Sequence, residues 1–284
     1  MTVPFDITRD SLQYDPRQGP VFVAFGEVMV RDTPAELGGR FRKLGWQGLI
    51  GTDLLYRLRC RIKPYEKRAG DTETVYQKAL GVLAEAIEGQ EDVCDAVGRC
   101  ADMFARIEVD RSRPRPLVGV VGEIYLRQNR YANNDLVAAL EKLGAEVALA
   151  PMTEWILYTN YTYKRRLLRE RNWRGLVKAV LTDVYQRSIE RRFTREVNKR
   201  VRLEHESPIE KVVELASPYL DKSFLGEAIL SVGKSIDYYL RGARGIVNAM
   251  PFTCMPGTIV TAISRKVRRD CGNIPWLNMS YEGL

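Results

Sequence analysis

Histidine is almost missing from this chain: His205 is the only one among 284 residues. That excludes most His-based zinc sites and Ser–His or Cys–His catalysis, which need an imidazole held by a partner group. His205 itself lies in Glu204-His205-Glu206 beside Ser207-Pro208, a surface-turn composition with no partner for a lone base. Long apolar runs are also missing, since none approaches the roughly 20 residues of a spanning helix. The opening MTVPFDITRD lacks the basic-then-apolar pattern of a secretory signal. A cytoplasmic location is therefore expected, and a membrane is not among the expected partners. Cysteine is scarce and unpaired in pattern, at positions 60, 94, 100, 254 and 271. Such usage suits a reducing compartment, where cysteines serve as thiols or metal ligands.

What is present supports a folded α/β protein. Hydrophobic residues make up 45% of the chain, enough to build a core, and the length suggests about two domains. The organising stretch is LVGVVGEIYLRQNRYANNDLVAALEKLGAEVALAP, positions 117–151. Its first five residues are apolar and rich in valine, the signature of a strand buried on both faces of a parallel sheet. Gly122 and Glu123 stand at that strand's carboxyl end. Asn133-Asn134-Asp135 offers short polar side chains for a helix amino terminus. Leu136, Ala139, Leu140 and Leu143 share one face of that helix, Gly144 ends it, and a second strand spans Val147–Ala150. This is a βαβ unit.

Upstream, Val21–Phe25 reads as a strand. A helical region covers about Glu36–Ile62, with glycines 45, 48 and 51 weakening its continuity before Pro64. Asp71 is expected to cap a helix carrying Tyr76, Ala79, Leu80 and Leu83. A further helix spans about Asp92–Ile107. Cys60, Cys94 and Cys100 are expected to be packed thiols, because free cysteine behaves as a small hydrophobe. The Pro/Arg stretch Val109–Pro116 is extended and places a domain boundary there. Residues 1–112 then form a mostly helical partial lobe, and residues 113–284 a flavodoxin-like α/β lobe with a parallel sheet in three layers.

Net charge is +8, and from Lys164 to Glu206 there are 14 Lys and Arg against 6 Asp and Glu. The whole excess sits in one segment. Because Glu170, Asp183, Glu190 and Glu196 are interleaved, it reads as a solvated helical layer, and nucleic acid is not an expected partner. The aromatics Trp155 to Tyr163 precede the basic run and read as core. Ser207 is expected to cap a helix over Pro208–Ala216. Gly233-Lys234-Ser235 resembles the tail of a phosphate loop, but Ala228 stands where that motif needs glycine and no strand precedes it. It reads as helix interior.

Near the end, Gly245–Phe252 reads as a strand and Thr253–Gly257 as a turn. A helix over about Thr258–Arg269 and a last strand over Trp276–Met279 complete the unit. Cys254 thus falls between a strand's carboxyl end and a helix's amino end. In a doubly wound sheet ligands bind on that side, and a helix terminus stabilises a thiolate. Function and a quiet loop cysteine both fit that pattern. Cys271, before Gly272, points to the other end of the helix and reads as structural. Glu123 and Cys254 are expected to face one cleft.

The segments GVVGEIYLRQNRYANND, PMTEWILY and NAMPFTCMPGTIVTAISRK, with GWQGLIGTDLL and RIKPYE upstream, resemble the 2-hydroxyacyl-CoA dehydratase D-component family, in its activase-related members. The resemblance covers about residues 37–284. It implies two flavodoxin-like lobes facing across a cleft and a 4Fe–4S cluster held by subunit cysteines. The cluster would accept electrons from an ATP-dependent activator and pass them to an acyl-CoA thioester. On the family's motif, Cys254 is a metal ligand, Glu123 a catalytic residue and Asn133 a cofactor-binding residue of the same cleft. The further upstream cysteines of cluster-bearing members have no counterpart here, so a second dehydratase-type subunit or a second copy would complete the ligand set. The function implied is an iron–sulfur electron-transfer or dehydratase/reductase component, a lyase-type activity. The alternative is a cluster-free interaction or scaffold domain.

Overall fold

A computed structural model describes residues 38–282; the strand expected at Val21–Phe25 lies outside them. The amino-terminal part is three helices, α1 (Gly38–Ile62), α2 (Asp71–Glu88) and α3 (Val93–Ala105). Helix α1 runs unbroken through the glycines that weakened it in sequence, and the reason is packing. A Cβ on Gly51 would lie 2.9 Å from Leu83 Cδ1 and 3.2 Å from Val97 Cγ2. Its bare backbone therefore lets α2 and α3 approach, which offsets the intrinsic helix cost of glycine. Helix α3 is capped by Asp92, which accepts the Cys94 N–H at 2.9 Å. Asp71 does not cap α2. Glu66 takes that role, accepting from Gly70 N–H at 2.9 Å and Thr72 N–H at 2.8 Å, and Asp71 lies in the first turn.

The sheet has four parallel strands, β1 (Leu117–Gly122), β2 (Glu146–Leu149), β3 (Gly245–Pro251) and β4 (Trp276–Tyr281), in the order β2-β1-β3-β4. This is the flavodoxin-like arrangement. Helices α4 (Ile124–Gln128) and α5 (Leu136–Lys142) connect β1 to β2. Helices α6 (Met152–Arg169), α7 (Trp173–Asn198), α8 (Ile209–Ala216) and α9 (Glu227–Leu240) connect β2 to β3, and α10 (Met255–Asp270) connects β3 to β4. Alternation along the strands divides the apolar residues between two faces. Val120, Val147, Leu149 and Val247 pack with α5 and with Cys60 of α1. Val121 and Ile246 belong to a second core shared with Leu54, Phe104, Phe193 and Val267. The layers are helix, sheet and helix.

The amino-terminal helices are tied to this lobe by polar links. Asp53 of α1 accepts the N–H groups of Met152 and Thr153 at 3.1 and 2.8 Å, so it caps α6. Arg59, buried in α1, pairs with Glu141 of α5 at 2.8 Å and with Glu73 of α2 at 3.1 Å. Trp46 Nε1 donates to Gln186 O of α7 at 3.1 Å.

Helix α9 contains Gly233-Lys234-Ser235 in its interior, as expected. A Cβ on Gly233 would meet Val212 O at 2.0 Å, so the glycine serves the close crossing of α8 and α9. Lys234 is fully buried and is neutralised by Glu154 at 3.0 Å, Asp237 at 3.6 Å and Glu206. Ser207 does not cap α8; its hydroxyl donates to Asp237 Oδ1 at 2.6 Å, and Pro208 takes the cap position. Of the aromatics ahead of the basic run, Tyr158 is buried, and Tyr163 departs from the core reading by being exposed.

Candidate functional site

The order of the strands reverses between β1 and β3, and in open α/β sheets ligands bind beyond the carboxyl ends at that point. The local backbone is held tightly there. Gly122 has φ +119, and a Cβ on it would lie 1.9 Å from Ala249 O of β3. Only glycine fits. Directly after it, Glu123 N–H donates to the same carbonyl at 2.9 Å. Residues 123 and 254 therefore follow neighbouring parallel strands at one edge of the sheet, as the sequence pattern implied.

Each expected site residue has a definite environment. The Glu123 carboxylate caps α4, accepting Tyr125 N–H at 3.1 Å and Leu126 N–H at 2.6 Å. Asn133 is buried, donating to Leu126 O at 2.8 Å and Arg127 O at 3.2 Å and accepting Leu136 N–H at 3.0 Å. Both ends of its amide are bonded within the loop it organises. Cys254 is half-buried and stands at the N-cap of α10, where its Sγ accepts the Gly257 N–H at 3.5 Å. The turn that presents it is closed by Cys254 N–H donating to Pro251 O at 3.1 Å. Within that turn Thr253 has φ +64, a left-handed conformation that is strained for a β-branched residue.

Two further residues shape this edge and were not singled out from the sequence. Arg127 is buried and donates to Gly122 O at 2.6 Å, Ala150 O at 3.1 Å and Pro151 O at 3.3 Å, joining the ends of β1 and β2. Glu227, first residue of α9, has its carboxyl raised to about 7. Burial is the main cause; Arg127 opposes it, the Glu123 charge adds to it, and the Ile124 N–H donates to the ionised form. In sequence Glu227 reads as an ordinary favourable acid in a first helical turn. The desolvation that makes it unusual arises only when α9 packs against β1. Helices α9 and α10 pack against each other, and Glu227 and Cys254 stand at their amino termini. Around them Tyr125, Leu225, Phe252 and Met255 are exposed, an apolar rim on the same edge.

The donor set does not fit a 4Fe–4S cluster held by this chain alone. Such a cluster takes about four ligands. Cys60, Cys94, Cys100 and Cys271 are buried away from Cys254, and among the described residues no group of three or more His, Cys, Asp or Glu is placed to hold a metal ion. Cys60, Cys94 and Cys100 are packed thiols, as expected, and burial pushes the Cys60 thiol up to about 12 and those of Cys94 and Cys100 to about 11.

No family model, no curated protein and no solved structure matches the chain.

Proposed function

We propose that this chain is one lobe of a two-body site for dehydratase-type chemistry on acyl-CoA thioesters. The second body, a dehydratase-type subunit or a second copy, docks against the carboxyl edge of the sheet. One observation carries the reading: of five cysteines, Cys254 alone is not buried, and it shares its edge with a carboxyl poised near neutrality. Removing water from a 2-hydroxyacyl thioester requires a proton to be moved to or from the substrate. A carboxyl with pKa about 7 can give and take a proton at working pH, which is what general acid–base catalysis needs. In this reading Glu227 moves the proton, Glu123 positions α4 and keeps the Glu227 carboxyl raised, and Cys254 is the chain's one metal-ligand candidate. A 4Fe–4S cluster, when bound, supplies single-electron transfer; the partner provides the other donors.

The test is iron and acid-labile sulfide per chain after anaerobic reconstitution with candidate partner subunits. Wild type is expected to take up a cluster, and Cys254→Ser to lose it with circular dichroism unchanged. A cluster retained in full by Cys254→Ser would sink the assignment of that ligand. If wild type takes up none with partners present, the electron-transfer reading fails and a cluster-free interaction lobe stands in its place. A specific feature favours that second reading: Tyr125, Leu225, Phe252 and Met255 expose apolar surface near this edge, whereas among the described residues no group of three or more metal-ligating side chains is assembled.

A further inference from the structure

Helix α7 packs on the core through its second half, while its first half carries an apolar stripe that nothing covers among the described residues. Ile189, Phe193 and Val197 are buried toward the core. Trp173, Val177, Val180, Leu181 and Val184, spaced by four, three, one and three residues, line another stripe. All of them are exposed, Trp173 by 61% and Leu181 by 65%. At the end of α6 the exposed Leu168 extends the stripe around the tip of the hairpin.

Cations flank this stripe. Arg169, Arg171, Arg174 and Lys178 are exposed, and their side chains make no hydrogen bond or ion pair among the described residues. The acids nearby are already engaged. Glu170 pairs with Arg166 at 3.6 Å, and Asp183 is buried between Lys164 at 2.5 Å and Arg187 at 3.0 Å. The hairpin tip thus presents apolar side chains bordered by uncompensated positive charge. A second copy would bring the same cations against themselves, which like-charge repulsion disfavours. An anionic bilayer complements both features: apolar side chains enter the headgroup boundary while arginines and lysines reach lipid phosphates. Trp173, flanked by Arg171 and Arg174, has the amphipathic ring that favours this boundary.

We infer that the α6–α7 hairpin docks on an anionic lipid surface, lying in the interface along the 173–184 stripe. It does not span the bilayer, since no helix among the described residues is long and apolar enough to cross a membrane. This inference is independent of the chemistry proposed for the sheet edge.

The test is co-sedimentation of the full chain with vesicles of phosphatidylcholine alone, or of equal parts phosphatidylcholine and phosphatidylglycerol. Binding is expected to the mixed vesicles only, weakening with added salt. A blue shift of tryptophan emission on binding should vanish in Trp173→Phe. Val177→Asp with Leu181→Asp should abolish binding. Arg171→Glu with Arg174→Glu should weaken it by about tenfold or more, each surface cation being worth a few-fold in affinity. These positions are exposed, so circular dichroism should match wild type. Absence of binding to the mixed vesicles overturns the inference, as does binding that survives Val177→Asp with Leu181→Asp. A dimer that the same pair of changes splits, without vesicle binding, assigns the stripe to a second copy instead.

Discussion

Glu227 and Gly122 show how much of this edge rests on single residues. The raised carboxyl of Glu227 means that the folded chain binds its proton more tightly than the unfolded chain does. Between the ordinary value of 4.5 and the folded value of about 7, the native state holds more protons, so stability falls as pH rises through that window and is least above it. Glu227→Gln should therefore stabilise the protein by on the order of 1–2 kcal/mol at pH 8 and change little at pH 4. Urea denaturation at the two pH values measures it, and an equal shift at both would point to packing in place of ionisation. Gly122 is constrained by sterics alone. With Ala249 O at 1.9 Å from its would-be Cβ, Gly122→Ala should cost more than about 3 kcal/mol or prevent folding. Gly242 also has positive φ, +90, but nothing lies within 4 Å of a Cβ there, so Gly242→Ala should cost only about 1–2 kcal/mol.

At the scale of elements, the strands β1 and β2 and the helices α3, α5, α9 and α10 are legible in sequence, because each has an apolar run or period and a polar or glycine boundary. Leu143, expected on the apolar face of α5, instead follows the helix and is exposed. What sequence hides is set by contacts that no local pattern announces. The continuity of α1 depends on α2 and α3 packing against Gly48 and Gly51. The cap of α2 comes from Glu66, five residues before Asp71. Half of the candidate site was legible: the strand-to-helix position marks Cys254 and Glu123, but nothing local to Glu227 announces its burial. Helix α9 gives a further case, since Lys234 looks like a motif residue and is in fact a buried charge held by Glu154, Glu206 and Asp237. Burial pushes the Glu206 carboxyl up, yet Lys234, Arg57 and Arg241 outweigh it and hold the value at about 2. This depressed value contributes stability above the ordinary 4.5 that is lost as pH falls toward 2. Lys234→Met should leave Glu154 buried without its cation, and Glu206 and Asp237 with Arg57 and Arg241, at a cost of about 3–5 kcal/mol. Adding Glu206→Gln should recover part of that loss, which a double-mutant cycle by urea denaturation would detect as non-additivity. Strict additivity would mean that the two side chains do not share an environment.

Across the whole molecule, the amino-terminal helices and the sheet lobe are joined by one apolar core and by polar contacts that each cross residue 112. Leu54 and Phe104 pack in the same cluster as Val121 and Ile246. Arg59 fastens α1 to α5, and Asp53 closes the amino end of α6 with two N–H bonds. A helix whose cap is supplied by another element loses its first turn when that element leaves. The two parts should consequently unfold together, giving coincident thermal transitions by far-ultraviolet and near-ultraviolet circular dichroism. Asp53→Ala removes the cap across the junction and should lower stability by about 1–2 kcal/mol. Because the loss falls on a shared structure, both signals should shift to the same lower Tm. If instead the variant melts in two steps, with one Tm unchanged from wild type, the helices and the sheet lobe are separate folding units and the shared core is too weak to couple them.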